Sequence, residues 1–298
     1  MNIRPLGIAL LASVAVLLTS CKTNKASDGA VIDRGPAPSY QQVAAQHNRR
    51  ANRLSRIWAN ATVRFTYLDE NQKSHTEQGE GHFQFRAPDN FALSIGKLSE
   101  VLFWIGSDSD RYWFFQMYEG DRVTVGRNEN IDRPCSADLG LPASPIDMID
   151  LLGITPLDPG APGATSWSLN GKWLVVDAPG RIAWRRLFLD PDTMLPARVE
   201  LYNPSDTTEP FVTSMIELND RVELDGVGGF MPKAPSRLQI DHASSGTSIR
   251  LFLHRMNDGK TNDRLSDAVF DFGTLVEAFG PTEFFVLDAD CPNPALPE

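Results

Sequence analysis

The chain has 298 residues, of which 42% are hydrophobic and 22% charged, and its formal net charge is −10. That composition excludes a disordered or fibrous protein, and the acidic balance excludes a nucleic-acid binder, which needs a basic stripe to neutralise phosphates. The length allows one large or two small domains, and no internal repeat or compositional break divides it.

In chain order, Arg4 and the apolar run Leu6 to Leu18 read as a secretory leader, too short for a membrane span. The leader ends in Leu18-Thr19-Ser20-Cys21, which resembles a bacterial lipobox. The resemblance implies that residues 1–20 are removed and that Cys21 carries the lipid, several acyl chains making a stable anchor. Residues 21–38 are polar and rich in Gly and Pro, the composition of a flexible tether. Residues 39–298 form one domain.

Ser39 and Gln42 make a capping box, and Val43, Ala44, His47, Ala51, Leu54, Ile57 and Trp58 share one stripe, which predicts a helix over that stretch. His47 on its apolar face reads as a packed core histidine. From Ala61 the period becomes two, and strands follow to Tyr67, over Glu80–Arg86 and over Phe91–Ile95. The stretch Val101–Val125 supplies about three more strands. Period-two sorting puts Trp113, Phe115 and Met117 on one face and Tyr112, Phe114 and Tyr118 on the other, so this part of the sheet is covered twice. Ser144-Pro145 opens a second helix that Gly153 ends. A meander resumes from Trp167 to His254, Thr274 and Glu277 read as a capping box for a short helix, and Glu283–Asp288 is a last strand.

The predicted class is α+β, mostly antiparallel: a strongly curved, incompletely closed β-barrel of about eleven strands with two or three helices on its concave side. No catalytic or nucleotide-binding signature occurs, and the five histidines are scattered. The acid pairs Asp147/Asp150, Asp190/Asp192 and Asp288/Asp290 read as helix surface, hairpin turn and tail. No metal site, cofactor or enzymatic activity is expected. In an exported domain Cys135 and Cys291 either form a disulfide or remain two thiols.

Residues 79–91, Gly-Glu-Gly-His-Phe-Gln-Phe-Arg-Ala-Pro-Asp-Asn-Phe, with Ile-Gly-Ser-Asp-Ser-Asp-Arg-Tyr-Trp-Phe at 105–114 and Ser-Pro-Ile at 144–146, resemble the LolA/LolB superfamily of bacterial lipoprotein carriers and receptors. The resemblance implies an unclosed barrel lidded by helices, whose apolar cavity takes the acyl chains of lipids or lipoproteins. It implies envelope proteins as further partners, and Lys22 after Cys21, in place of Asp, fits anchoring at the periplasmic face of the outer membrane by the sorting rule of enteric bacteria. The candidate lining is Phe83, Phe85, Leu102, Trp104, Trp113, Phe115, Met117, Ile149 and Leu152, which would equally fill a solid core. A structural or interaction lipoprotein on the same scaffold is the alternative. In the carriers an Arg directly before the third-strand Pro locks the lid. Here Ala87 holds that position, and Arg86 is expected on the other face. Leu98 is the counterpart of the Leu that the receptors display on a loop.

Overall fold

The computed structural model describes residues 31–292 apart from 69, 70, 99, 119, 134, 137, 138, 140, 218–220, 224–231 and 260–264. The leader, Cys21, most of the tether and the Gly228-Gly229 turn lie outside the described residues.

Helix α1 (Tyr40–Ala51) starts at Ser39 with both capping-box hydrogen bonds made. It ends earlier than its apolar stripe predicts. Leu54 lies beyond it, and Ile57 and Trp58 belong to β1 (Arg56–Leu68), where they pair with Phe85 and Gln84 of β2 (Ser74–Arg86). Apolar residues at 54, 57 and 58 fit either period, and cross-strand pairing decides between them.

The meander continues through β3 (Asn90–Lys97), β4 (Glu100–Ser107), β5 (Arg111–Gln116) and β6 (Arg122–Arg127). Helix α2 (Pro145–Leu151) follows, with Ser144 Oγ accepting from Asp147 N and Gly153 in the left-handed region at φ 62°. Strands β7 (Ala164–Trp167), β8 (Leu174–Pro179), β9 (Trp184–Leu189), β10 (Pro196–Tyr202) and β11 (Val212–Ile216) come next. The ladder of β12 (Arg221–Glu223) and β13 (Lys233–Pro235) stands apart from the main sheet, which resumes with β14 (Arg237–His242) and β15 (Ser248–Asn257). Helix α3 (Phe272–Phe279) is capped by Asp271, whose side chain accepts from Thr274 N, in place of the expected Thr274 box. The last strand is β16 (Glu283–Val286).

Among the described residues fourteen strands make one sheet in the order β16-β6-β5-β4-β3-β2-β1-β15-β14-β11-β10-β9-β8-β7. All its neighbours are antiparallel except β16, which pairs parallel with β6. The first and last strands of that order do not pair, so the sheet is curved and unclosed, with more strands than the eleven expected.

Register sorts the side chains. Phe83, Leu93, Ile105 and Phe114 lie across from one another on one face, as do Phe85 and Phe91. These pack with Val43 and Ala44 of α1 and with Ile149, Leu151 and Leu152 of and beside α2 in a single core. That is the concave face. On the opposite face Trp113, Phe115 and Val123 meet Leu275, Phe272 and Phe279 of α3. Alongside, Trp58 and Ala92 meet Phe270 and Leu265. Two helices therefore cover the concave side and the third covers the other, which is why Val101–Val125 is apolar on both faces. Gly106 stands directly across from Trp113. A Cβ there would fall 2.7 Å from Trp113 Nε1, so glycine is what lets the indole lie flat on the sheet.

Candidate functional site

Helix α2 lies across the concave trough, touching β3, β4 and β5 on one side and β10 on the other. The segment that follows it carries α1. Tyr40 Oη donates to Asp158 O at 2.9 Å, Asn48 both donates to Leu157 O at 2.6 Å and accepts from Leu157 N at 2.8 Å, and His47 Nε2 meets Thr155 O at 3.1 Å. Beneath them Asp150 accepts from Arg185 at 3.1 Å, from Thr155 Oγ1 at 2.8 Å and from Arg181 N at 3.0 Å. Arg185 also donates to Pro156 O at 2.6 Å, and the Arg181 guanidinium pairs with Asp89 in the β2–β3 turn.

Asp147 and Asp150 are thus buried, at 8% and 2% exposure, and not on a helix surface as the sequence predicts. The β8–β9 turn and the loop after α2 fold over Asp150, where Arg181 and Arg185 replace solvent, while Asp147 turns back to accept from Ser144 Oγ. Asp190 does cap its hairpin turn, accepting from Thr193 N at 2.8 Å. Asp288 is buried and accepts from Asn130 Nδ2 at 2.6 Å, which ties the carboxyl end to the β6 end.

The knot contains two groups with displaced titration. Thr155 O can only accept, so His47 Nε2 carries a hydrogen. Burial, reinforced by Arg50, pushes its pKa from 6.5 down to about 3. Burial pushes Asp147 from 3.8 up to about 7, against the hydrogen bond from Ser144 and helped by Asp150. Between pH 3.8 and 6.5 the unfolded chain holds a His47 proton that the fold refuses and lacks an Asp147 proton that the fold keeps, so the two slopes cancel. Below that window the His47 effect stands alone and stability falls with falling pH. Above it the Asp147 effect stands alone and stability falls with rising pH. In Asp147→Asn the compensation is removed, and stability is expected to drop by about 1.4 kcal/mol per pH unit as pH falls from 6.5 toward 3. Urea midpoints at stepped pH measure this; a curve as flat as the native one would refute it.

The helices do not roof the whole concave face. Along β4 side chains pass from buried at Ile105–Ser107, through half-buried, to exposed at Glu100 and Val101. On the unroofed part Phe103 stacks on Phe114 with centroids 5.6 Å apart and meets Tyr118 edge-on at 5.9 Å. Across β2, Phe65 stacks on Tyr67 at 5.5 Å. Ile95, Phe65 and Phe114 sit half-buried against the core as its rim. This aromatic floor is half-buried, reaches solvent at Tyr118 and is contiguous with the packed interior.

The nine predicted lining residues do not form one wall. Phe83, Phe85, Ile149 and Leu152 are together in the concave core, fully packed. Trp104, Trp113, Phe115 and Met117 belong to the opposite face, against α3. Leu102 sits at a register irregularity between β3 and β4 and is half-buried. The residues of the open floor, Phe65, Ile95, Phe103, Phe114 and Tyr118, escaped the sequence reading. Their signal is aromatic residues at period two on strands that continue past the length of a seven-residue helix. Arg86 lies on the face away from the lid, where it pairs with Asp267 and covers the Phe270 ring at 5.1 Å. Leu98 is 98% exposed at the β3–β4 turn.

Cys135 and Cys291 are bonded, with Cα atoms 5.2 Å apart. Among the described residues no cluster has the makings of a metal site, and no helix is long and apolar enough to cross a membrane.

The sequence matches no family model and no curated protein. Solved structures do match. A putative outer membrane lipoprotein-sorting protein domain from Vibrio parahaemolyticus aligns over 78% of this chain and 98% of its own, with a TM-score of 0.53 at 13% identity. A DUF1329 family protein from Desulfovibrio piger aligns over 79% of this chain and 97% of its own, with a TM-score of 0.52 at 11% identity. The chain shares the fold of these two proteins. A LolA superfamily protein from Nitrosomonas europaea also matches, at 17% identity and a TM-score of 0.48 over 79% of this chain and 98% of that one. At such identities the likeness concerns the fold alone and leaves the chemistry of the concave face to this chain's own residues.

Proposed function

We propose that this is a lipid-anchored envelope lipoprotein that binds the acyl chains of a lipid or lipoprotein on its concave face and performs no catalysis. In this reading residues 1–20 are the leader, Cys21 carries the anchor, residues 21–38 are the tether, and residues 39–298 are the binding domain at the periplasmic face of the outer membrane. The observation that carries it is the aromatic floor of Phe65, Phe103, Phe114 and Tyr118, left uncovered beside α2 in a sheet whose remaining concave surface is packed. Acyl-chain binding asks only for apolar area, each methylene removed from water contributing about 0.8 kcal/mol. The buried aromatics Phe83 and Phe85 act here as the bed of the trough, and Leu98 at its lip as a contact for the incoming cargo.

The test is displacement of a fluorescent fatty acid from the purified protein, with native mass spectrometry for co-purifying lipid. Phe103→Asp is expected to weaken binding at least tenfold, the ~1.4 kcal/mol equivalent of about two methylenes left in water. Phe284→Asp, outside the trough, leaves it unchanged. Absence of bound lipid together with an unaltered probe titration for Phe103→Asp rejects the proposal. One observation favours the alternative of an interaction lipoprotein. Edge strand β16 presents Phe284, Phe285 and Val286 about half exposed, an edge to which a partner strand could add. Loss of a stable protein complex in Phe284→Asp with lipid binding absent from the native protein selects that reading.

A further inference from the structure

The described chain begins beside the β7 edge of the sheet and is pinned there. Ile32 N donates to Asn170 O at 3.0 Å, Arg34 Nε to Gly171 O at 2.9 Å, and Trp167 Nε1 to Gly35 O at 3.0 Å. Residues 32–35 are thereby held against the β7–β8 turn. On this fixed backbone Val31, Ile32 and Leu169 project into solvent, Leu169 completely. Two cation–indole pairs frame them: the Arg34 guanidinium lies 5.4 Å from the Trp167 ring and Lys172 Nζ 4.7 Å from that of Trp173.

Aliphatic side chains held outward by ordered backbone and bordered by Trp with Lys or Arg have the composition of a membrane–water interface. Chain length identifies the occupant. Nine residues, and so ten Cα-to-Cα steps, lie between Cys21 and Val31, which reach about 35 Å at full extension. A lipid on Cys21 therefore keeps this corner of the domain within that distance of the bilayer.

We infer that the corner of Val31, Ile32 and Leu169 docks into the bilayer surface and fixes how the anchored domain stands on it. The inference rests on the lipid anchor of the proposed function and is independent of acyl-chain binding. Asp33 is adjacent in sequence to Arg34, and Asp190 lies within electrostatic reach of it. The local charge is therefore balanced. The docking is by apolar burial, and raised salt moves it little.

The test uses the full chain in vesicles of phosphatidylethanolamine and phosphatidylglycerol. With Cys21 lipidated and Cys135 bonded to Cys291, L169C provides one free thiol for an environment-sensitive fluorophore. M215C, exposed on β11, serves as the control. The expected result is a blue shift and quenching by brominated lipid for L169C, neither for M215C, and no loss of the shift in high salt. A chain that sediments with vesicles while the L169C probe reports water overturns the docking and leaves the anchor standing. A chain that does not sediment overturns both, and fatty-acid displacement from the trough is read independently of either.

Discussion

Replacing Arg185 by Met is expected to destabilise the protein by about 3–5 kcal/mol, a large share of the total stability of an ordinary domain. Arg185 reaches from β9 into the concave interior, donates to Asp150 of α2 and to Pro156 O, and is itself 4% exposed. Its removal leaves the Asp150 carboxylate, also buried, with Thr155 Oγ1, the Arg181 main chain and, as its one remaining counter-charge, an Arg181 guanidinium 3.9 Å away that is shared with Asp89. The loop that these groups hold is the loop on which α1 rides, through Asn48 and Tyr40. The damage therefore spreads to the lid. Two further variants separate this account from generic loss of a large side chain. Arg186→Met, one residue along the strand, faces the other way and pairs with Asp177 near the surface; it is expected to cost no more than about 1 kcal/mol. The double variant of Arg185→Met with Asp150→Leu is expected to recover most of the loss, because the uncompensated charge goes with its partner. Urea unfolding measures all three. Equal losses for Arg185→Met and Arg186→Met would show that the buried pair is not what holds the lid.

Much of the scaffold could be read in the chain because its signals are local. The Ser39 and Ser144 caps, the Gly153 stop, the strand alternation and the turns each need only a few neighbouring residues to specify them. The LolA-like curvature followed from strand number and from helices with apolar stripes to bury. What could not be read is which helix covers which face. Trp113 and Phe115 were correctly sorted onto one side and Phe114 onto the other, yet the alternation gives no sign of inside or outside. Only pairing register, linking Phe114 to Ile105, Leu93 and Phe83, places it on the concave face, the side that α2 covers in part. The polar knot was hidden for a similar reason. Asp150 joins Thr155, Arg181 and Arg185 from three separate segments, and on a helical wheel it looks like solvent surface. The open aromatic floor was missed because its definition is negative: it is where a seven-residue helix stops and the strands do not.

The two faces of the sheet differ between its halves, and this assigns a task to the carboxyl end. From β8 to β11 the outer face carries polar pairs, Arg186 with Asp177 and Arg198 with Glu200. From β3 to β6 it carries Trp104, Trp113, Phe115 and Val123, which water would meet if residues 265–292 were absent. Those residues form a strap: the 3₁₀ turn Asp267–Phe270, α3, β16, and then Asp288 tied to Asn130.

Opening the Cys135–Cys291 bond is expected to release this strap first. The bridge joins positions 156 residues apart, for which chain entropy gives about 5 kcal/mol of stabilisation. In a domain of this size that is a fall in melting temperature of roughly 10–20 °C. Leu265 and Phe270 anchor the start of the strap and Asp288 its end, but the stretch between them is held weakly. Helix α3 buries Leu275 fully and its other apolar residues only partly, and all four residues of β16 are exposed on a parallel edge pairing. Such an element sits at the low end of local stability. Under a mild reductant, hydrogen exchange should therefore accelerate across Phe272–Val286 while β1, β2 and β15 in the middle of the sheet stay protected. Tryptophan emission should shift to the red as Trp104 and Trp113 become wet. A double Cys→Ser variant should behave as the reduced protein does. The concave floor lies on the other side of the sheet, so fatty-acid binding should survive the release. Uniform acceleration over the whole sheet, or an unchanged α3, would mean that the bridge stabilises the domain as a whole and does not clip the strap. The distinction bears on function, because a strap that lifts alone uncovers an apolar outer face and the β6 edge while the trough continues to work.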